Sequence, residues 1–163
     1  LVKTSRLESG IIALRPSVGN LASVIQSAIS QLAPKAKEKG ISIVAESKDA
    51  DAVFDPKWTE EAIFNLLDNA VKFCQVGGRL GVEIRQTPEK IYVAISNTGN
   101  PIPVEELPFV FERFHKTDKS RTDKDGWGLG LYIVKTIVCS HGENIRVSSA
   151  GDTTEFTFTL PCA

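Results

Sequence analysis

The sequence predicts a two-layer α/β (α+β) sandwich: a mixed, mostly antiparallel sheet with about three helices packed on one face, and a long loop set into it. Three observations lead there. Two long segments of helical period, 21–39 and 55–74, end at or just before glycines. Short alternating segments come in pairs, one pair around Thr87-Pro88-Glu89 and one at the C-terminal end. A chain of 163 residues is enough for one domain and marginal for two, and at that length about 68–70% of the unfolded surface is buried. One sheet covered by helices is the simplest way to bury these apolar faces.

Taken in order, Leu1 to Glu8 is polar and helix-compatible and stops at Ser9-Gly10. It reads as the last turns of a helix begun upstream, and with no methionine anywhere, Leu1 reads as a cut inside a longer protein. Ile11 to Leu14, ahead of Pro16, reads as a strand. Asn20 is placed to cap a helix from Leu21 to about Lys39, with Pro34 as a disturbance and Gly40 as its stop. Ile41, Ile43 and Ala45 alternate with polar or outward positions as a strand does. Asp55-Pro56 opens the next helix, with proline at its first position, and that helix runs to about Cys74. Leu80 to Gln86 and Lys90 to Ser96 form a predicted hairpin, Asn97 to Pro103 a loop, and Leu107 to Phe114 a short apolar stretch. Residues 115–127 carry no hydrophobic period before Trp127; a loop of that length in a compact domain signals function or disorder. A helix from near Gly128 to His141 and strands over Glu143–Ser149 and Thr154–Leu160 complete the order.

Composition excludes several classes. Lys plus Arg number 19 against 20 Asp plus Glu, so the broad positive field of a non-specific nucleic-acid binder is missing. Three cysteines without a CxxC spacing make neither a disulfide framework nor a zinc site, and reduced thiols in a cytoplasmic setting are expected. No apolar run approaches the roughly 20 residues of a membrane helix, although a longer parent is free to carry one elsewhere.

Three segments carry chemistry. In Asn65-Leu-Leu-Asp-Asn69-Ala-Val-Lys72, spacings of four and three put Asn65, Asn69 and Lys72 on one helix face. This is either a solvated stripe or a site. Each asparagine costs about 0.5 kcal/mol against alanine inside a helix, an amide oxygen suits Mg²⁺, and a lysine suits phosphate. Gly126-Trp-Gly128-Leu129-Gly130-Leu131 opens a helix, as either a hinge or an anion cradle. It has neither the setting of the dinucleotide fingerprint nor the Gly-Lys-Ser/Thr of a Walker A loop. Asn97-Thr-Gly99-Asn-Pro101-Ile102 ends an apolar strand, as an ordinary turn or as a place where a polar group meets a base edge.

In this order the segments resemble the nucleotide-binding domain of sensor histidine kinases, part of the wider group of gyrase, heat-shock chaperone and mismatch-repair ATPases. Phe64 to Phe73 resembles the family's asparagine box, Phe111-Glu-Arg-Phe114-His-Lys116 its phenylalanine box, and Gly126 to Val134 its second glycine box. Gly151 to Pro161 resembles its closing strands, and residues 1–10 the end of its dimerisation helices, leaving 11–163 as the ATP-binding catalytic domain. The resemblance implies ATP and Mg²⁺ as cofactors. Asn69 would bind the metal, Asn65 would sit where related ATPases carry a catalytic Glu, and Lys72 would contact phosphate. Phe73, Asn97, Gly99, Ile102, Leu129, Leu131 and Thr154 would line the nucleotide site; Gly126, Gly128 and Gly130 would hinge an ATP lid on which Lys116 or Arg121 closes on the phosphates.

Departures from the pattern matter too. The family's usual Asp in its first glycine box is Asn97 here, and its second glycine is Pro101. Charged hydrogen bonds contribute about 1.5–3 kcal/mol against about 0.5–1.5 for neutral ones, so weaker ATP binding and reduced adenine-over-guanine selectivity are expected. Neither His115 nor His141 has the setting of a phosphoacceptor, so the acceptor is expected on a dimerisation domain outside this chain, with a response regulator downstream, a homodimeric parent and a monomeric fragment. Two other readings stay in view: a degenerate nucleotide-sensing or scaffolding module, and an anti-sigma-type kinase acting on serine.

Overall fold

A computed structural model describes residues 12–46, 49–112 and 130–163. In chain order the elements are β1 (Ser17–Asn20), α1 (Leu21–Glu38), β2 (Ser42–Ala45), β3 (Asp51–Phe54), α2 (Pro56–Phe73), β4 (Arg79–Gln86), β5 (Lys90–Thr98), a 3₁₀ turn (Leu107–Phe109), α3 (Gly130–Ser140), β6 (Ile145–Ala150) and β7 (Thr153–Pro161). The main sheet has the order β2-β4-β5-β7-β6. Among the described residues only its β2–β4 pair is parallel. The helices lie on one face, so the two-layer sandwich expected from the sequence is the observed architecture.

Both long helices start as their first residues dictate. The Asn20 side-chain oxygen accepts from the Ala22 N–H at 2.9 Å, and Asp55 Oδ1 accepts from the Trp58 N–H at 3.0 Å. Proline at the first position of α2 gives up only an N–H that has no partner inside the helix. Pro34 does not end α1, which runs on to Glu38.

The N-terminal strand corrects the sequence reading. Ile11 and the proposed helix end at 1–10 lie outside the described residues, and 12–16 form no strand. The strand falls beyond Pro16, at Ser17–Asn20, and pairs antiparallel with Asp51–Phe54, a strand that sequence reasoning missed. β1 shows no buried alternating face, with Val18 67% exposed, whereas β3 buries Ala52 and Phe54 in only four residues. The ribbon forms because β1 lies on the buried ring of Phe54, where a Cβ at Gly19 would come within 3.2 Å of Phe54 Cζ.

The core is sandwiched between the helices and one face of the main sheet. Register puts Ile84, Val93, Phe158 and Ile145 in one row across β4, β5, β7 and β6, and Val82, Ile95, Phe156 and Val147 in the next. Above them, α2 buries Ile63, Leu66 and Leu67, and α3 buries Val134, Ile137 and Val138. Each fully buried side chain of this kind contributes about 1.5–3 kcal/mol, and together they fix α2 and α3 over the sheet.

Candidate functional site

One step further along the same face, the row changes character. Leu80 is followed across the sheet by Asn97, Thr154 and Ser149, three polar side chains on three adjacent strands. Asn97 and Thr154 are 4% and 6% exposed, so both are interior groups. Ser149 and Thr154 share a hydroxyl–hydroxyl hydrogen bond of 2.8 Å, and Ser149 Oγ also accepts from the Ile102 N–H at 2.9 Å. Asn97 Nδ2 donates to the Thr98 carbonyl at 3.3 Å. Asn97 therefore belongs to β5 itself rather than to the predicted loop, which begins at Gly99.

The C-terminal end of α2 is docked onto this end of β5. The Gln75 N–H donates to the Thr98 carbonyl at 3.0 Å. Gly99 has φ +151°, and a Cβ there would meet the Phe73 carbonyl oxygen at 2.6 Å. Glycine is needed here so that helix end and strand end can touch; its close approach is to α2. From the other side, Lys39 Nζ donates to the carbonyls of Val71 and Lys72 at 2.8 and 3.1 Å. A cation on the open carbonyls of a helix C-terminus is favourable both as hydrogen bonding and against the helix dipole.

Phe73 is thus fixed beside the polar row, with Asn69 one turn and Asn65 two turns earlier on α2. All three are half-buried. The Asn65 Nδ2 donates to the Glu61 carbonyl at 3.0 Å, which leaves its oxygen outside that bond. The Asn69 side chain makes no hydrogen bond to another described residue, so its amide oxygen is a ready hard ligand. Lys72 lies 3.8 Å from Asp68, which also faces Lys35 at 3.5 Å. With Lys72 34% exposed, that pair contributes at most about 1 kcal/mol and competes weakly with a phosphate.

Register and docking therefore bring together Phe73, Asn97, Gly99, Ile102 and Thr154. Ser149 joins them and was missed from sequence. The tight β6–β7 turn at Gly151 was the available signal, since closing it sets Ser149 opposite Thr154. Gly130 opens α3 and Leu131 packs against the core. Lys116, Arg121, Gly126, Gly128 and Leu129, with the rest of the expected lid, lie outside the described residues.

Two other polar groups are absorbed into structure. Glu143 is buried and accepts from Lys90 Nζ at 2.7 Å and from the Thr159 hydroxyl at 2.6 Å. The hydrogen bond it donates to Glu143 holds the Lys90 ammonium above its ordinary 10.5. His141 Nε2 accepts from the Asp55 N–H at 3.0 Å while Nδ1 lies 2.8 Å from the Ile137 carbonyl, so Nδ1 carries the proton. The three cysteines are free. Among the described residues no group of His, Cys, Asp and Glu is placed to hold a metal, and no helix is long and apolar enough to cross a membrane.

Residues 54–163 match the model of the histidine kinase-, DNA gyrase B- and HSP90-like ATPases. The chain belongs to this ATPase family. Over 143 residues the ATPase domain is 33% identical to the sensor histidine kinase CusS of Escherichia coli (strain K12), a match covering 87% of this chain and 30% of CusS. It therefore spans under a third of that curated relative's length. The solved structure of the mycobacterial sensor histidine kinase MprB is 30% identical, with a TM-score of 0.81 over 90% of this chain and 98% of that one. Full-length ShkA, solved in complex with AMPPNP, superposes at a TM-score of 0.83 over 98% of this chain and 34% of its own. At 24% identity that last likeness concerns the fold of the ATPase domain alone. The fold is that of histidine kinase catalytic domains.

Proposed function

We propose that this domain binds Mg-ATP between α2 and the polar row of the sheet, and donates the γ-phosphoryl group to a histidine on a dimerisation domain outside this chain. The parent would be a homodimeric sensor histidine kinase signalling to a response regulator, with this domain in the cytoplasm. The observation that carries the reading is the polar row Asn97–Thr154–Ser149, its first two members buried, beside a helix whose half-buried face presents Asn65, Asn69 and Lys72.

In this reading the base lies against the polar row, with Phe73 and Ile102 as apolar contacts, and the phosphates run along α2. Asn69 would hold Mg²⁺ through its amide oxygen; the ion supplies charge neutralisation at the phosphates. Lys72 exchanges Asp68 for a phosphate oxygen. Asn65 is a neutral amide whose NH₂ is already engaged with Glu61, so it positions groups and cannot deprotonate water. An amide in place of a carboxylate at this position suits transfer to a protein nucleophile over hydrolysis. Residues 11–163 would form the domain, and the lid with Lys116, Arg121, Gly126, Gly128 and Leu129 would close the site together with Gly130 and Leu131.

Calorimetric titration with a non-hydrolysable ATP analogue tests the binding half. One-to-one binding is expected, and Asn69→Ala should remove at least tenfold of the affinity measured with Mg²⁺ while leaving the metal-free affinity unchanged. For the transfer half, labelled ATP with a supplied dimerisation domain should yield acid-labile phosphate. Acid-stable label would point to a serine acceptor, and binding without transfer to a nucleotide-sensing module.

A further inference from the structure

The two long helices close their C-terminal ends in different ways. α1 ends in a Schellman motif: with Gly40 at φ +68°, its N–H donates to the Lys37 carbonyl at 3.0 Å and the Ile41 N–H to the Ala36 carbonyl at 2.9 Å. Those partners are neutral backbone groups. α2 makes no such turn. Cys74 leaves it in extended backbone, at φ −69° and ψ 139°, and the Cys74 N–H reaches back to the Ala70 carbonyl. The next two carbonyls, of Val71 and Lys72, both go to one ammonium, that of Lys39, brought in half-buried from the end of α1. The base of this arm is itself fixed, since the Lys39 carbonyl accepts from the Gly77 N–H at 2.9 Å.

A neutral cap would satisfy the same carbonyls. It would leave in place the negative end of the helix dipole, equivalent to about half a charge. That end of α2 is where Phe73 is seated beside the polar row, so a polyanion bound along α2 would feel it as repulsion. A full positive charge on those carbonyls reverses the sign. Because the ammonium donates into α2, it acts on such an anion through space rather than by contact.

We infer that Lys39 is a positioning residue for the nucleotide: by turning the negative end of α2 positive it favours a polyphosphate without touching it, and its effect grows with the number of phosphates. This role rests on the nucleotide reading above and adds a residue of α1 to the forces that hold the ligand. Beyond contact distance, a partly solvated charge pair at low salt changes affinity by about twofold.

The test titrates AMP, ADP and a non-hydrolysable ATP analogue into the full natural chain and into Lys39→Met, without Mg²⁺, which would neutralise the phosphates. At low salt the substitution should weaken the three by about two-, four- and eightfold in that order, and the losses should shrink in molar salt. Lys39→Arg keeps the charge and should restore the natural series. Lys37→Met removes an exposed charge from the last turn of the same helix and should leave the grading unchanged. If Lys39→Met fails to fold, Lys39→Gln, equally neutral, replaces it in the same series. Equal losses for the three nucleotides, losses that persist in molar salt, or an arginine variant as weak as the methionine one would overturn the inference and leave Lys39 as scaffolding. The same grading from Lys37→Met would overturn it as well, by showing a diffuse field. In all those cases nucleotide still binds and the functional reading stands. Failure of every nucleotide to bind a natural chain shown to be folded by circular dichroism would overturn the functional reading and the inference together.

Discussion

β5 and β7 run antiparallel, and both of their shared ends bury polar groups, with opposite results. At the start of β5, Glu143 Oε1 accepts from both Lys90 and Thr159, so an ammonium and a hydroxyl of the fold itself partner this carboxylate. At the far end, Asn97 and Thr154 are just as interior and Ser149 is half-buried beside them, yet their hydrogen bonds leave capacity over: the Asn97 amide oxygen and the remaining valences of two hydroxyls. Since a buried polar group costs stability unless paired, the first cluster is explained by structure alone. The second is explained by what is to be bound. Asn69 on α2 extends the contrast, as a half-buried side-chain amide with no hydrogen bond to another described residue.

The comparison is broken most severely at Gly99. Replacing it with alanine drives a Cβ into the Phe73 carbonyl and imposes a φ that side chains disfavour, and it is expected to cost about 2–5 kcal/mol in urea unfolding. A loss under 1 kcal/mol would mean that α2 does not need its contact with β5. Ser149→Ala is milder. It strips the Ile102 N–H of its acceptor and Thr154 of its partner, for about 1 kcal/mol. Faster amide exchange at Ile102 and weaker nucleotide binding should accompany it. If stability falls while binding holds, the polar row is scaffolding at both ends and the contrast disappears.

At the closed end the expected effect is smallest and depends on pH. The Lys90 ammonium titrates above its ordinary value because Glu143 hydrogen-bonds it. Its contribution is therefore fully present below the ordinary lysine range and is lost as pH rises through the higher folded value. The stability difference between the natural chain and Lys90→Met should stay constant from pH 7 to about 10 and shrink above that. Nucleotide affinity should not change at all.

Much of this was legible in the residues, for identifiable reasons. The Asn20 and Asp55 caps, the Gly40 stop and the alternation through β4, β5 and β7 are local signals, and each element appears where its signal lies. The β1–β3 ribbon was not legible, since four residues with an exposed valine carry no period and the contact that holds it joins Gly19 to Phe54, far along the chain. Within the site, Asn69 was readable as a costly residue in a helix. Ser149 was legible only through the Gly151 turn, because its meaning arises when β6 folds back on β7. Gly99 was readable as a glycine with a task, but the task is to seat a helix.

The His141 ring has a consequence for phosphoryl chemistry. Attack on a γ-phosphate needs a nitrogen lone pair that is free to reach phosphorus. In this imidazole one nitrogen carries the proton shared with Ile137, and the lone pair of the other is taken by the Asp55 amide. The ring is a rivet between the end of one helix and the start of another, and it is chemically silent as a nucleophile. Labelled ATP left with this chain alone should therefore leave position 141 unmodified, and a histidine that accepts the phosphoryl group must be one whose imidazole lone pair a fold has left idle.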